Sequence, residues 1–143
     1  MAKRDMSFFM QGKAKTVEEK EVIVSNRYID DEGKIIPFVL KPIETERIKE
    51  IENECTEPVF EKGRKVGERL NTERFMTKVG IESTVYPNFK DKDLLKSYNV
   101  VDPVDLVPKI LSIGGEFTLW IKEIAKINGL DDDFEEMVEE AKN

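Results

Sequence analysis

Apolar positions follow two different periods along this chain. Between residues 21 and 43 they read as strands. Val22, Val24, Asn26 and Tyr28 alternate with Ile23, Ser25, Arg27 and Ile29, as in a strand with two distinct faces. The turn-rich stretch Asp30-Asp31-Glu32-Gly33-Lys34 follows, and Gly33 can supply a positive φ. The return run Ile35-Ile36-Pro37-Phe38-Val39-Leu40 is β-rich, and Pro42 ends it. Pro37 has no amide donor, which predicts that this strand, or that position in it, lies at a sheet edge. A lone hairpin is marginal in water, so this one must pack on something else.

From residue 44 the period is helical. Thr45 is a candidate N-cap, with Ile48, Ile51 and Cys55 on one stripe and Thr56-Glu57-Pro58 as the stop. Residues 61–70 read as a charged, Gly-punctuated mobile link. Asn71 caps a helix bearing Phe75, Met76 and Val79 that ends before Pro87, and Asp91 opens a short one with Leu94, Leu95 and Tyr98. Asp102-Pro103 starts another, with proline at the first helical position. Pro108 should kink it or split it into two short turns. Gly114-Gly115 precedes the most regular helix, in which Phe117, Trp120, Ile121 and Ile124 share a face and Asn128-Gly129 is the stop. Past the acidic cap Asp131 to Asp133, Phe134, Met137, Val138 and Ala141 repeat that spacing. This last stripe covers either its own domain, which the sequence favours, or another chain.

The pattern predicts one α+β domain over residues 21–143, a β-hairpin (21–43) packed on helices from 44 onward, behind a flexible leader (1–20). The leader contains a tight apolar cluster, Met6-Ser7-Phe8-Phe9-Met10. Methionine and phenylalanine on a mobile segment adapt to varied apolar surfaces, so the cluster suits a partner as well as it suits its own domain.

Composition narrows the function. The 143 residues include 23 Lys and Arg, 30 Asp and Glu, no His and one Cys. Without His there is no Ser-His-Asp or Cys-His catalysis and no imidazole metal site. One cysteine excludes an internal disulfide, and Cys55 is expected in the core. The net charge is −7, and residues 131–140 alone hold seven acids and no base. The body is therefore neutral, with a basic head (Lys3, Arg4, Lys13 and Lys15 against Asp5) and an acidic tail. Such a tail is a solvated helix face, or a device that steers a basic partner or keeps a complex dispersed. An acidic chain is not a general nucleic-acid binder, and no run is long and apolar enough to span a bilayer. The start lacks the apolar core of a secretory signal, so the cytosol is expected. Gly63, Lys65 and Gly67 lack phosphate-loop spacing, and the runs at 30–33 and 131–133 lack calcium-loop spacing. Turns and caps explain those runs, and no catalytic residue, metal or cofactor is expected.

The leader Met6 to Met10, the stretch Ser25 to Lys34, Leu40-Lys41-Pro42-Ile43, Gly115-Glu116-Phe117, Ile127 to Asp131 and the ending Glu139-Glu140-Ala141-Lys142-Asn143, in this order and spacing, resemble the XkdN-like tail assembly chaperones of tailed phages and defective prophages. Met1 to Asp5 precede what looks like the usual start of the family, which makes Met6 a candidate alternative initiation site beside Met1. The resemblance implies a protein that binds the tape measure protein and keeps it from aggregating while the tail tube is built. It would act in the host bacterial cytoplasm and be absent from the finished virion. Met6, Phe8, Phe9 and Met10, with Phe134, Met137 and Val138, are the candidate contacts. The tail tube protein, a second copy of the chain and a longer frameshifted form are further candidate partners. The last of these is what the resemblance implies, since many tail chaperone genes make a longer form by a −1 frameshift; Ala141-Lys142-Asn143 can be encoded over a slippery A-AAA-AAC heptamer, although Lys and Asn codons are A-rich in any case. The competing readings are an acidic interaction protein of another kind, such as an antitoxin-like inhibitor or nucleic-acid mimic, and a structural tail or baseplate component.

Overall fold

A computed structural model describes residues 4–130. The fold is α+β, as expected. Strand β1 (Lys20–Val22) pairs antiparallel with β2 (Phe38–Leu40), in register Lys20 to Leu40 and Val22 to Phe38. Between them the chain runs out to a turn closed by a bridge from Ile29 to Ile35. There Asp30 Oδ1 accepts from the amides of Glu32 and Lys34, both at 2.9 Å, and Gly33 adopts φ 81°. The acidic run thus builds a turn. The alternation breaks at Val24 and Ser25, which are both buried. A third strand, β5 (Thr84–Tyr86), joins the other side of β2. That makes β2 the centre of the sheet rather than an edge. Pro37 lies just before the ladder, so its missing donor costs no sheet hydrogen bond.

Helix α1 (Thr45–Glu54) begins one residue earlier than the expected cap implies. Glu44 occupies the N-cap without a side-chain bond, and Thr45 is the first helical residue. Ile51 and Cys55 are buried. The segment expected as a mobile link at 61–70 is part of a second antiparallel hairpin, β3 (Thr56–Glu61) with β4 (Arg64–Leu70). Its turn residues Lys62 and Gly63 take φ 50° and 79°, the double positive φ of a two-residue hairpin loop. Glu57 lies opposite Arg69, and Glu61 opposite Arg64, so unlike charges face each other across the ribbon.

Helix α2 (Thr72–Ser83) is capped by the Asn71 side chain, which accepts from the Arg74 amide at 3.1 Å. A cap of this kind stabilises by about 1 kcal/mol. Helix α3 (Lys92–Ser97) and helix α4 (Pro103–Ile110) start at the predicted caps Asp91 and Asp102. Pro108 does not split α4. It sits in the last turn of an eight-residue helix, where only one intrahelical donor is lost. Helix α5 (Gly114–Asn128) includes Gly114 and Gly115 in its first turn and ends at Gly129, φ 70°.

Helix α2 packs against α1, α4, α5 and β5 and is the axis of the core. Against Gly80 of this helix lies Trp120 of α5, fully buried and edge-on to Phe89, with ring centroids 5.6 Å apart. The indole Nε1 donates to Thr84 Oγ1 at 3.0 Å, and that hydroxyl donates to the Gly80 carbonyl at 2.7 Å. A Cβ at position 80 would lie 2.4 Å from Trp120 Cη2. Asn128 ties the far end of α5, accepting from the Ile43 amide at 2.9 Å and donating to Ser83 Oγ at 2.9 Å.

The long β1–β2 loop is held by a carboxylate. Glu116, in the first turn of α5, receives the Arg27 guanidinium in a fork (Nε to Oε2 2.9 Å, Nη2 to Oε1 2.5 Å), the Ser25 hydroxyl and the Ile113 amide at 3.2 Å. Arg27 also donates to the Ile110 carbonyl at 3.2 Å. The guanidinium, and next the Ser25 hydroxyl, hold the Glu116 carboxyl at about 2, below its ordinary 4.5, against the burial that would raise it.

Two outcomes follow from this packing. Gly80→Ala should destabilise by about 1–3 kcal/mol despite alanine's better helix propensity, because the indole is hydrogen-bonded and packed and cannot withdraw. A lower urea midpoint, read by the fluorescence of the single tryptophan, checks it. Glu116 is depressed on folding, so its stabilisation is complete above pH 4.5 and is lost as pH falls toward about 2. Glu116→Gln should therefore be less stable at neutral pH, and the gap to the parent should close through that window in urea titrations at stepped pH.

Candidate partner-binding surfaces

The leader is more ordered than expected. Asp5 Oδ1 accepts from the Ser7 amide at 2.8 Å and starts a 3-10 turn over Met6–Phe9, and the Met10 amide closes on the Ser7 carbonyl at 3.3 Å. Strand β1 begins at Lys20, inside the predicted leader. The turn gathers Met6, Phe8, Phe9 and Met10 into one knob. All four are 61–86% exposed and none belongs to the core cluster. Of the two uses open to this cluster, docking on its own domain is not what the structure shows. The other candidate contacts, Phe134, Met137 and Val138, lie outside the described residues.

A second apolar surface was not foreseen. Tyr28, Ile36, Tyr86, Pro87, Leu94 and Tyr98 line a groove of about 130 Å³, floored by the buried Phe38 and Ile110. The chain has three tyrosines, and all three are here. They come from the β1–β2 loop, β5 and the end of α3. Tyr28 Oη donates to the Ile110 carbonyl at 2.5 Å, while Arg27 lies 5.5 Å from its ring centre. Burial first, then the neighbouring Tyr98 hydroxyl, push the Tyr28 phenol up to about 12, so it stays neutral. No charged side chain lines the groove. Tyr28, Tyr86 and Tyr98 are distant in sequence, and nothing in the local pattern sets them apart from ordinary strand and helix residues.

The other described clefts have a different character. One between α1 and α2 is rimmed by Arg47, Glu54, Lys78, Glu82 and Lys90. Its charges are tied to one another: Arg47 Nε reaches Glu82 Oε1 at 2.6 Å, Lys78 Nζ reaches Glu54 Oε2 at 3.3 Å, and Lys90 also pairs with Glu82. Such pairing serves packing. Burial pushes the Cys55 thiol up, away from the nucleophilic thiolate. Among the described residues no group of three or more Cys, Asp or Glu converges as a metal site would require. None of the described helices is long and apolar enough to cross a membrane.

Known proteins are similar to this chain in sequence and in fold. The sequence model for the phage XkdN-like tail assembly chaperone proteins matches residues 6–142. The phage-like element PBSX protein XkdN of Bacillus subtilis is 48% identical over 139 residues, covering 97% of this chain and 94% of the relative. The uncharacterized protein YqbN of the same organism is 46% identical over 139 residues, covering 97% and 93%. The crystal structure of YqbN superposes with a TM-score of 0.77 at 39% identity, over 90% of this chain and 98% of that one. Matched along almost its whole length, the chain belongs to the XkdN-like family of phage tail assembly chaperones.

Proposed function

We propose that this chaperone binds the tape measure protein of its phage or prophage through the leader knob and keeps that protein dispersed until the tail tube forms around it. The observation that carries the reading is the ordered, uncovered turn Met6–Phe9, in a chain of a tail-assembly chaperone family. A long helical client exposes apolar stripes and aggregates. Its chaperone must cover that surface and later let go. A few adaptable apolar contacts on a short turn meet both needs, since Met and Phe fit varied partners and a small contact area dissociates readily. The acidic end of the chain supplies charge that keeps the complex apart from its neighbours. The chemistry is that of a binding protein, carried out in the host cytoplasm before the tail is complete.

Co-expression with the tape measure protein tests this. Deleting residues 1–12 should reduce the tape measure recovered in the soluble fraction severalfold. The circular dichroism of the chaperone should be unchanged, because the knob makes no core contact. Equal recovery with and without the leader would overturn the proposal. Recovery of the protein as a stoichiometric part of purified tails would favour a structural tail component instead.

A further inference from the structure

We propose that the apolar groove between the β1–β2 loop, β5 and α3 is the seat for the leader knob of a second copy of this chain. Two copies would exchange leaders reciprocally. The inference takes from the proposed function only the leader's role as a contact surface.

Knob and hole are complementary in chemistry and in size. The groove is walled by phenol rings and aliphatic side chains, with about 130 Å³ to fill, which suits one Phe or Met side chain. Tyr86, at its mouth, is 53% exposed, and aromatic side chains of this kind are favoured anchors in interfaces. The knob offers Phe8 and Phe9 on a turn already ordered by Asp5, so little freedom remains to be lost on docking.

Charge is matched as well. The turn Asp30-Asp31-Glu32-Gly33-Lys34 stands beside the groove, because Tyr28 and Ile36, which line it, are joined by a 2.9 Å backbone bond at the turn's base; Lys34 pairs with Glu32 at 3.7 Å, so the turn stays acidic through Asp30 and Asp31. The knob is flanked by Arg4, Lys13 and Lys15 against the single acid Asp5. A basic, apolar segment thus meets an apolar hole with an acidic turn along one side. The knob does not occupy its own groove, since its apolar side chains stay exposed. The chain between the knob and β1, residues 10–19, can extend roughly 33–36 Å, long enough to cross to a neighbour. One knob entering one hole in a head-to-tail series would grow an open chain, whereas reciprocal exchange closes at two copies. Self-pairing would cover both apolar surfaces until a client competes for the knob.

Sedimentation equilibrium over a range of concentrations is the test, with two variants of the full chain. Phe8→Ser/Phe9→Ser keeps the hole and removes the knob, and Tyr86→Asp keeps the knob and spoils the hole. The parent should sediment as a reversible dimer and each variant alone as a folded monomer. Mixed, the two variants should form a weaker 1:1 pair, because one of the two contacts survives. That recovery separates docking from misfolding. A parent that stays monomeric at every concentration, self-association that survives both variants, or Phe8 and Phe9 protected within a monomer would each overturn the inference. Tape measure co-purification is read separately, so either claim can fail while the other stands.

Discussion

Trp120 can lie against α2 because residue 80 carries no side chain. This close approach sets the distance between α2 and α5, and the rest of the domain is arranged around it. The indole needs a polar partner once buried, and Thr84 supplies one at the point where α2 gives way to β5. The same hydroxyl is spent on the Gly80 carbonyl, so ring, helix and strand form a chain of bonds rather than three separate contacts. The amide of Lys41, just past β2, then bonds the Ser83 carbonyl at 2.8 Å and draws the small sheet onto the helical core. Three-residue strands could not persist alone in water, and they persist here because a helix junction holds both sides of the ladder.

The Glu116 cluster does for the loop what Trp120 does for the helices. A carboxylate at the start of α5 meets a fork-shaped cation from the loop, a geometry that fixes orientation as well as attraction. With Arg27 clamped, its neighbour Tyr28 is held over Ile110 and becomes a wall of the groove. The apolar surface of the groove therefore rests on a polar network behind it. This division suits a binding protein, because a flat apolar patch supported only by apolar packing would tend to be swallowed by the core.

The helical part was legible from residue spacing. Asn71, Asp91, Asp102 and Gly129 mark real helix boundaries because capping is a local interaction, and Phe75, Met76, Trp120 and Ile124 are buried because a 3.6-residue period survives in any globular context. The β3–β4 ribbon was not legible, and the reason is physical. It is exposed along most of both faces, so it has no apolar alternation, and its stabilising pairs, such as Glu57 with Arg69, join residues on opposite arms. Strand β5 hid for another reason. Three residues squeezed between a helix and Pro87 give no period at all. Ser25 defied the alternation because Glu116, 91 positions away, pulls its hydroxyl inward. In each case the deciding partner is remote in sequence.

The candidate surfaces divide along the same line. The leader knob is a local feature, with a capping aspartate beside two phenylalanines and two methionines, and its residues could be named from sequence. The groove is assembled from three distant tyrosines and became visible only with the fold. A chaperone that acts on apolar surface must carry apolar surface of its own, and between encounters that surface is a hazard to the protein itself. Burying it permanently would abolish binding, and leaving it bare would invite aggregation. The weak, reversible cover proposed above would resolve the conflict, since a client would need only to out-compete a contact of modest area. In the proposed exchange, the acidic turn beside the groove would also make that cover selective, because a generic apolar peptide without basic neighbours gains nothing from Asp30 and Asp31.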